Sequence, residues 1–377
     1  MTTVFVKGNE ACVLGALDAG ARFFAGYPIT PASEIAEMCS EELPKRGGMF
    51  VQMEDEIGSL AAVIGASLGG MKAFTATSGP GMSLMAENQG VAIVAEVPCV
   101  IVDVQRYGVS TGVATRPSQG DMMQARWGTH GDHTIIAIAP STVQECYDMM
   151  YEAFGIAQRF SSPVLFMMDG SLGRLREKII RNKQRELSPE DLTRPKPSVA
   201  PEDYLPYKPN EKLVPELSCY GDEHILRVTS LMHDERGYST ANPELVLALV
   251  NRLEHKITHY QEELPTAKYY GSEQPEIVVI SFGSTSRAAR AALQSLDKDR
   301  ANVGVLDLKT IWPFPQKIIQ ETCATAKTVF VAEMNKGQIV REVERALKQP
   351  EVIPILRYDT KTMQPQEIEN KTREVLK

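Results

Sequence analysis

The sequence predicts an α/β fold in which a doubly wound parallel sheet is followed by a second, smaller α/β domain. Between residue 22 and about residue 170, short β-rich runs alternate with longer amphipathic segments. This alternation is typical of a parallel sheet that is covered by helices on both faces. The alternation returns after residue 273, and a length of 377 residues suits two separate hydrophobic cores.

Ten strands are predicted from short runs of β-branched and apolar residues. They cover residues 22–25, 49–52, 72–77, 99–104, 134–139, 163–168, 277–281, 302–307, 329–332 and 352–356. Helices are predicted to begin near Pro31, Asp55, Met82, Ser141, Pro243, Ser286, Pro315 and Gln338, and the helix from Pro243 is expected to reach His255. Pro31 is placed at the first helical position, where its missing N–H leaves no hydrogen bond unmade.

The chain is divided into a first domain at residues 1–185, a connecting region at 186–272 and a second domain at 273–377. Seven of the 23 prolines fall between Pro189 and Pro215, which predicts an extended linker or a strap over the surface. Residues 106–133 show little periodicity. Because a long loop inside a compact domain is usually functional, we expect an active-site loop there.

Composition excludes several classes of function. The formal charge of -8 and the pI of about 5.5 argue against a nucleic-acid-binding surface. The most apolar windows are interrupted by Glu96, Pro98 and Asp103, well short of a membrane span, and the first seven residues lack a secretion signal, so we expect a cytoplasmic protein. The six cysteines are too scattered for a disulfide framework or a tight metal site, so no metal is assigned to this chain.

Chemically useful residues follow the predicted strands one after another. Thr30 follows the first strand, Glu54, Asp55 and Glu56 follow the second, residues 78–81 follow the third, and Arg106 follows the fourth. Ligands of open α/β sheets bind outside the carboxyl ends of the strands. We therefore expect a hydroxyl, a carboxylate, a glycine-rich turn and a guanidinium to line one crevice.

Each of these residues also has a purely structural explanation. Thr30 could cap a helix, and the acids at 54–56 could simply oppose the positive end of the next helix. The Ser-Gly-Pro-Gly sequence at 78–81 could be an ordinary turn, and Arg106 could be a solvated loop residue. Their joint placement at successive strand ends favours a site, because structural roles do not require that placement.

An ordered series of motifs runs through nearly the whole chain. The motifs lie at residues 7–11, 23–31, 52–58, 75–81, 110–112, 117–121, 124–133, 233–237 and 333–335, and include Tyr-Pro-Ile-Thr-Pro at 27–31. In this series the chain resembles the α subunits of 2-oxoacid:ferredoxin oxidoreductases, above all those acting on 2-oxoglutarate. Relatives acting on branched-chain oxoacids or pyruvate share the motif at 27–31, so the family is more firmly indicated than the substrate.

The resemblance implies a thiamine diphosphate enzyme that decarboxylates a 2-oxoacid, reduces ferredoxin through iron–sulfur centres and transfers the acyl group to coenzyme A, in either direction. The first domain would bind the thiamine pyrimidine ring. A β subunit would hold the diphosphate, Mg²⁺ and an iron–sulfur cluster, since this chain has no Gly-Asp-Gly motif. Separate γ and ferredoxin-like subunits are expected, and the second domain resembles the transketolase carboxy-terminal domain.

The resemblance also implies roles for individual residues. Glu56, directly before Ile57 and Gly58, would hydrogen-bond the pyrimidine ring nitrogen and activate the cofactor. Thr30 and Arg106 would hold the carboxylate and carbonyl of the substrate. The remaining cofactor contacts are assigned to Tyr27, Pro28, Ile29, Thr77, Ser78 and Gly79, and the distal carboxylate of 2-oxoglutarate to Arg116, Arg126 or His130, with His133 nearby. A metal site at His130 and His133 is the weaker alternative to ordinary hydrogen bonding.

Two rival functions remain open at this stage. An oxidoreductase acting on branched-chain or aromatic oxoacids would share Glu56, Thr30 and Arg106 but would need an apolar substrate pocket. A scaffold subunit without catalytic function would keep both folds and would not depend on Glu56.

Overall fold

The structure is a computed structural model that describes residues 2–182, 194–297 and 301–376. These residues form a large, mainly parallel sheet, a second mixed sheet and a small two-stranded ribbon. The predicted doubly wound sheet followed by a smaller α/β unit is confirmed.

Strands and helices are numbered here in chain order. The strands are β1 (Thr2–Lys7), β2 (Phe23–Gly26), β3 (Met49–Gln52), β4 (Ala73–Thr77), β5 (Val100–Tyr107), β6 (Val113–Pro117), β7 (Ile136–Ile138), β8 (Val164–Asp169), β9 (Arg176–Arg181), β10 (Ala267–Gly271), β11 (Ile277–Phe282), β12 (Val303–Leu308), β13 (Thr310–Trp312), β14 (Thr328–Glu333) and β15 (Glu351–Leu356). The helices are α1 (Gly8–Asp18), α2 (Ser33–Glu42), α3 (Glu56–Leu68), α4 (Pro80–Leu84), α5 (Ala86–Val94), α6 (Met122–Trp127), α7 (Val143–Phe160), α8 (Gly170–Arg174), α9 (Pro243–Thr258), α10 (Gly283–Asp297), α11 (Gln316–Thr322), α12 (Gln338–Ala346) and α13 (Pro365–Val375).

The large sheet has the strand order β13-β7-β8-β5-β4-β2-β3, and β6 pairs with the end of β5. The neighbouring pairs from β7 to β3 are all parallel, so the carboxyl ends of β5, β4, β2 and β3 lie side by side at one edge. The added strands β6 and β13 are antiparallel. This order brings the segments that follow four neighbouring strands to the same end of the sheet.

Two hydrophobic cores cover the two faces of the large sheet. Successive residues of a strand point to opposite faces, so Phe166 joins the core with α1, α2 and α7, whereas Leu165 joins the core with α3, α5 and α6. The second core continues into the other domain through Ile280 and Leu306. A third core lies between the second sheet and helices α10 and α13.

A buried ion cluster joins the two domains. The Lys309 ammonium donates to Ser141 Oγ at 2.7 Å, Glu145 Oε2 at 2.6 Å and Asp307 Oδ2 at 2.7 Å. Burial raises the pKa of Asp307, while Lys309 acts in the opposite direction; the pKa of Glu145 is lowered because its cations outweigh its burial. Lys268 Nζ also pairs with Glu145 Oε1 at 2.6 Å, so two cations balance two carboxylates within the contact between the domains.

Gln119 connects two of the motifs that the sequence sets far apart, at 117–121 and 333–335, and also contacts the start of α10. Its side-chain N–H donates to Phe282 O at 2.9 Å, and its Oε1 accepts from Met334 N at 3.0 Å. Asn335 Nδ2 donates to Gln119 O at 2.7 Å, and Thr285 Oγ1 donates to Gln119 Oε1 at 2.9 Å. The motifs at 117–121 and 333–335 thus serve the packing of the second domain against the first.

From residue 194 onward, the connecting region contacts the first domain. Arg194 donates to Ser67 O at 3.0 Å and to Ser218 O at 3.1 Å, and Tyr220 N donates to Leu68 O at 2.9 Å, so this stretch is tied to the end of α3. The proposed boundary after residue 185 and Pro189 lie outside the described residues.

Several local predictions were wrong. Pro31 is not the first residue of a helix, because α2 begins at Ser33 after a cis Thr30–Pro31 peptide bond. The predicted loop at 106–133 contains β6 and α6, and the segment near Met82 forms two helices, α4 and α5. The helix from Pro243 continues past His255 to Thr258. Helix α1 was not predicted because it is buried on almost every side and therefore lacks amphipathic periodicity.

Candidate active site

The candidate site lies at the carboxyl edge of the large sheet. The segment 27–31 follows β2, Glu56 opens α3 after β3, and Ser78 and Gly79 follow β4. Arg106 is the one departure from the predicted pattern: it lies inside β5, since pairing of Arg106 with Pro117 of β6 prolongs the strand. Neighbouring parallel strands still place all four segments at one edge.

The three consecutive acids before α3 have different surroundings. Asp55 caps the helix, with its carboxylate accepting from Gly58 N at 2.8 Å, and Glu54 is exposed. Glu56 is only 4% exposed. The helix therefore explains Asp55 but does not explain why Glu56 is buried, since its carboxylate would be better hydrated at the surface.

Glu56 faces the glycine-rich turn across a very short gap. Thr77 Oγ1 lies 3.5 Å from Glu56 Oε1. A Cβ added to Gly81 would lie 2.0 Å from Thr77 Oγ1 and 2.4 Å from Glu56 Oε1, closer than any real contact. Gly81 is thus required by the approach of Glu56. The sequence predicts that the turn at 78–81 lines the site but assigns a cofactor contact only to Gly79, and the approach of Gly81 to Glu56 is visible only in the fold.

The turn at Ser78 and Gly79 contains a buried hydroxyl, that of Ser78, without a hydrogen-bond partner among the described residues. Gly79 has φ 43°, a left-handed conformation that strains any residue with a side chain, and it comes directly before the first residue of α4, Pro80. The turn therefore offers the Ser78 hydroxyl to a ligand at this edge.

Arg106 connects β5 to the loop after β2. Its side chain is 6% exposed, and its Nη1 donates to Thr30 O at 2.8 Å. Its Nε is buried and has no partner among the described residues. Thr30 itself is exposed and does not cap α2, whose N-cap is Ala32. The guanidinium is consequently held at the 27–31 loop with hydrogen-bonding capacity left over.

Asn9 supports the 27–31 loop from behind, a role that the sequence reasoning missed. Its side-chain amide donates to Pro31 O at 2.9 Å and to Glu34 Oε2 at 2.5 Å. Lys7 forms an ion pair with the same Glu34. Asn9 belongs to the motif at 7–11, but only the fold shows that β1 and α1 pass beneath the 27–31 loop.

Arg116, Arg126 and His130, the candidates for binding the distal carboxylate, differ in solvent exposure and in the contacts that they already make. Arg116 on β6 and His130 are exposed. Arg126 stacks on Trp127, with the guanidinium carbon 3.9 Å from the ring centroid, and donates to His133 O at 2.8 Å. Burial lowers the pKa of Arg126, and Glu254 of α9 and Glu342 of α12 oppose this. Arg126 is therefore engaged within its own turn, whereas Arg116 and His130 are open to solvent.

Large apolar side chains are exposed around the site. Ile57 follows Glu56 and is 49% exposed, Leu84 at the end of α4 is 49% exposed, and Tyr27 is 41% exposed. Three large apolar side chains on the segments that form the site are thus left uncovered within this chain.

The described residues contain neither a cluster of metal-binding side chains nor a helix suited to crossing a membrane. In the described ranges, no group of three or more His, Cys, Asp or Glu side chains is arranged to hold a metal ion. None of the described helices is long and apolar enough to cross a membrane.

Comparison with protein families identifies the class of protein. Residues 14–252 match the family described as pyruvate flavodoxin/ferredoxin oxidoreductase, thiamine diphosphate-binding. Residues 275–368 match core domain II of pyruvate:ferredoxin oxidoreductase. The chain belongs to the family of 2-oxoacid:ferredoxin oxidoreductases, which are enzymes, and its first part is their thiamine diphosphate-binding domain.

Individual relatives narrow this assignment. The chain is 48% identical over 371 residues to the 2-oxoglutarate synthase subunit KorA of Methanocaldococcus jannaschii, covering 98% of this chain and 99% of the relative. It is 33% identical over 378 residues to the ketoisovalerate oxidoreductase subunit VorB of Methanothermobacter thermautotrophicus, covering 100% and 98%.

Solved structures show the same fold. A chain of the 2-oxoglutarate:ferredoxin oxidoreductase from Magnetococcus marinus, solved with 2-oxoglutarate, coenzyme A and succinyl-CoA, aligns with a TM-score of 0.93 at 33% identity. The alignment covers 100% of this chain and 65% of that chain. A split-gene transketolase aligns with a TM-score of 0.56 at 11% identity, which shows a shared fold alone.

Proposed function

We propose that this chain is the α subunit of a 2-oxoglutarate:ferredoxin oxidoreductase and that Glu56 is its cofactor-activating acid. The observation that carries the proposal is the buried Glu56 at the start of α3, facing Thr77 across Gly81 at the edge where Arg106 also lies. This arrangement places an acid and a cation beside a turn whose Ser78 hydroxyl has no partner among the described residues.

The side chains at this edge fit the pyrimidine half of thiamine diphosphate. Glu56 would hydrogen-bond a ring nitrogen, and Thr77, Ser78, Gly79 and the 27–31 loop with Tyr27, Pro28 and Ile29 would line the ring. The unpartnered Ser78 Oγ supports this fit, because a buried hydroxyl needs a partner. When bound, thiamine diphosphate supplies the electron sink for loss of carbon dioxide from a 2-oxoacid. Glu56 then holds or releases a proton at its carboxylate, with bulk water excluded by its burial.

Arg106 and Thr30 would position the substrate. A guanidinium can hold a carboxylate through two parallel hydrogen bonds, and the Arg106 Nε has no other partner among the described residues. For 2-oxoglutarate, the second carboxylate would meet Arg116, Arg126 or His130. The availability of Arg116 and His130 favours these two over Arg126.

The choice of 2-oxoglutarate is supported by the relatives. Four proteins named 2-oxoglutarate synthase subunit KorA are 42% to 48% identical to this chain, whereas two named ketoisovalerate oxidoreductase subunit VorB are 32% to 33% identical. A branched-chain oxoacid enzyme is the second candidate function, since the VorB proteins match the entire chain.

Further subunits would complete the enzyme. A β subunit would supply the diphosphate site, Mg²⁺ and an iron–sulfur cluster, and separate γ and ferredoxin-like subunits would complete coenzyme A binding and electron transfer to ferredoxin. The exposed Tyr27, Ile57 and Leu84 beside the site support docking of a partner there.

Co-purification of the chain with the products of neighbouring genes tests the proposal. The complex is assayed for coenzyme A-dependent viologen reduction with 2-oxoglutarate, pyruvate and 2-oxoisovalerate, and mass spectrometry identifies the subunits. We expect 2-oxoglutarate to give the highest kcat/KM. A preference for 2-oxoisovalerate would select the second candidate, and inactivity of an intact, cofactor-loaded complex with all three substrates would contradict both.

A further inference from the structure

Two aspartates with buried carboxyl oxygens, Asp103 and Asp121, lie close to Arg106. Asp103 is fully buried in β5, three residues before Arg106, and its backbone is in register with Thr77 of β4 and Met167 of β8. Asp121 comes directly before α6, and its backbone N–H donates to Gln105 Oε1 at 3.2 Å. The sequence reasoning gave neither residue a role in the site.

The carboxyl oxygens of this pair are poorly satisfied. Both oxygens of Asp103 and Oδ2 of Asp121 are buried and have no hydrogen bond of standard geometry to an N–H or O–H group of the described residues. Three neighbouring groups affect the pKa of the Asp103 carboxyl: the Asp121 carboxyl, the Gly79 N–H and the Arg106 guanidinium. Two ionised carboxylates in such a place would repel each other and lack hydration, which makes that state unfavourable.

A single proton removes this difficulty. Two ionised carboxylates cannot hydrogen-bond each other because neither has a donor, whereas a carboxyl and a carboxylate form an O–H···O⁻ bond. Asp103 and Gln105 lie on the same face of β5, and the Asp121 N–H donates to Gln105 Oε1 at 3.2 Å, so Asp121 stands against the face that carries Asp103. The pair then carries one negative charge, which matches the single positive charge of Arg106.

We propose that Asp103 and Asp121 share one proton, and that their single negative charge is the buried counterion that positions Arg106 and the turn at Ser78 and Gly79. Both are positioning residues rather than catalytic residues. The inference rests on the proposed function, because it takes Arg106 as the group that receives the substrate carboxylate.

The pKa directions agree with this arrangement. Burial raises the pKa of Asp103 well above its usual value, and the Asp121 charge raises it further, while Gly79 and Arg106 act in the opposite direction. Burial raises the pKa of Asp121 to about 6, and Asp103 and Arg106 oppose this. Asp121 is partly exposed as a residue, yet its Oδ2 is buried, so the carboxyl group itself is desolvated.

The shared proton makes substrate binding depend on pH. When the pair loses its last proton, a second negative charge develops beside Arg106 and repels an anionic substrate. We expect KM for 2-oxoglutarate in the assembled complex to rise roughly tenfold across this ionisation, with a smaller effect on kcat. If either carboxyl group is removed, at most one negative charge can develop beside Arg106. KM should then no longer rise with pH.

The experiment compares Asp121→Asn and Asp103→Asn with wild type across neutral and alkaline pH. Asp132→Asn, an exposed change in the nearby 130–133 turn, is the matched control and should keep the wild-type rise in KM. Infrared difference spectra of the same complexes should show that each pair variant, but not the control, loses one protonated-carboxyl absorption at neutral pH. If one pair variant does not fold, the other carries the same test.

The outcomes separate this inference from the function on which it depends. Retention of the KM rise in both variants, or an unchanged protonated-carboxyl absorption, overturns the shared proton. If Arg106→Ala leaves KM unchanged while the infrared signal behaves as expected, the substrate role of Arg106 fails and the proton-sharing pair stands.

Discussion

Glu56 and Gly81 approach so closely that residue 81 has no room for a side chain. A Cβ on Gly81 would stand 2.4 Å from Glu56 Oε1, and Gly81 is itself buried at the start of α4. The position of the proposed catalytic acid therefore depends on a glycine that belongs to another strand–helix turn.

Gly81→Ala tests this relationship. The added methyl group must displace Glu56 or Thr77, and misplacement of a catalytic group by about 1 Å can cost about a hundredfold in rate. We expect a loss of that size in 2-oxoglutarate-dependent viologen reduction, with the complex still assembled. Gly65→Ala in α3 is the control, since a Cβ there meets nothing within 4 Å. Near-normal activity of Gly81→Ala would show that Glu56 is not held by this contact.

Glu56→Gln tests the proton-handling role. The amide has the size of the carboxylate but cannot exchange a proton, so we expect turnover to fall by about two to four orders of magnitude. Subunit composition by mass spectrometry should be unchanged. Glu54→Gln, two residues earlier and exposed, should retain activity. A Glu56→Gln complex with wild-type turnover would favour a scaffold role for this subunit.

Arg106→Ala tests substrate positioning. Loss of a charge-assisted pair of hydrogen bonds should raise KM for 2-oxoglutarate at least about tenfold and lower kcat as well. Steady-state kinetics of the assembled complex measure both constants. The exposed Arg341→Ala on α12 serves as the control for loss of a positive charge. Unchanged constants for Arg106→Ala would remove the residue from the site.

Glu96→Gln tests the stability of the contact between α9 and the first domain. Glu96 is fully buried and pairs with Arg252 at 2.5 Å and with Lys256 at 2.8 Å. Removing its charge leaves two buried cations without their counterion, and breaking such a pair costs about 3 to 5 kcal/mol. We expect a lower midpoint in thermal unfolding at neutral pH. Glu262→Gln, in a fully exposed pair with Lys317, should leave the midpoint unchanged.

Glu96 also makes the stability of the folded chain depend on pH, and the direction of this dependence follows from its pKa. Burial alone would raise the pKa of Glu96, but Lys256 and Arg252 outweigh it and the net shift is downward. Burial lowers the pKa of Lys256, with Glu96 acting in the opposite direction, so its charge in the folded chain depends on Glu96. A carboxyl with a lowered folded pKa stabilises above its unfolded pKa and loses this contribution as the pH falls. Urea unfolding should show wild type losing more stability than Glu96→Gln between neutral pH and acid.

Local patterns in the sequence predicted ten of the fifteen strands and most of the helices that the structure describes. Runs such as 49–52 and 163–168 are predicted as strands from their apolar and β-branched residues alone. The predicted strands lie within a few residues of the observed ones. The exceptions have physical reasons. Helix α1 lacks a polar face because it is buried between layers, and β13 is only three residues long and exists because β7 offers it an edge.

The sequence predicted which residues of the candidate site lie at the same edge, because strand order determines this. It did not predict the features that depend on contacts between segments distant in the chain. The sequence by itself determined the parallel sheet, and with it that Thr30, Glu56 and the turn at Ser78 would share an edge, because the carboxyl ends of parallel strands coincide. Only the tertiary structure decided that Glu56 rather than Asp55 or Glu54 is buried, that Gly81 must be glycine, and that the carboxyl oxygens of Asp103 are buried without hydrogen-bond partners among the described residues. Those facts arise from packing between segments distant in the chain, where burial and close approach change the chemistry of groups whose local sequence looks ordinary.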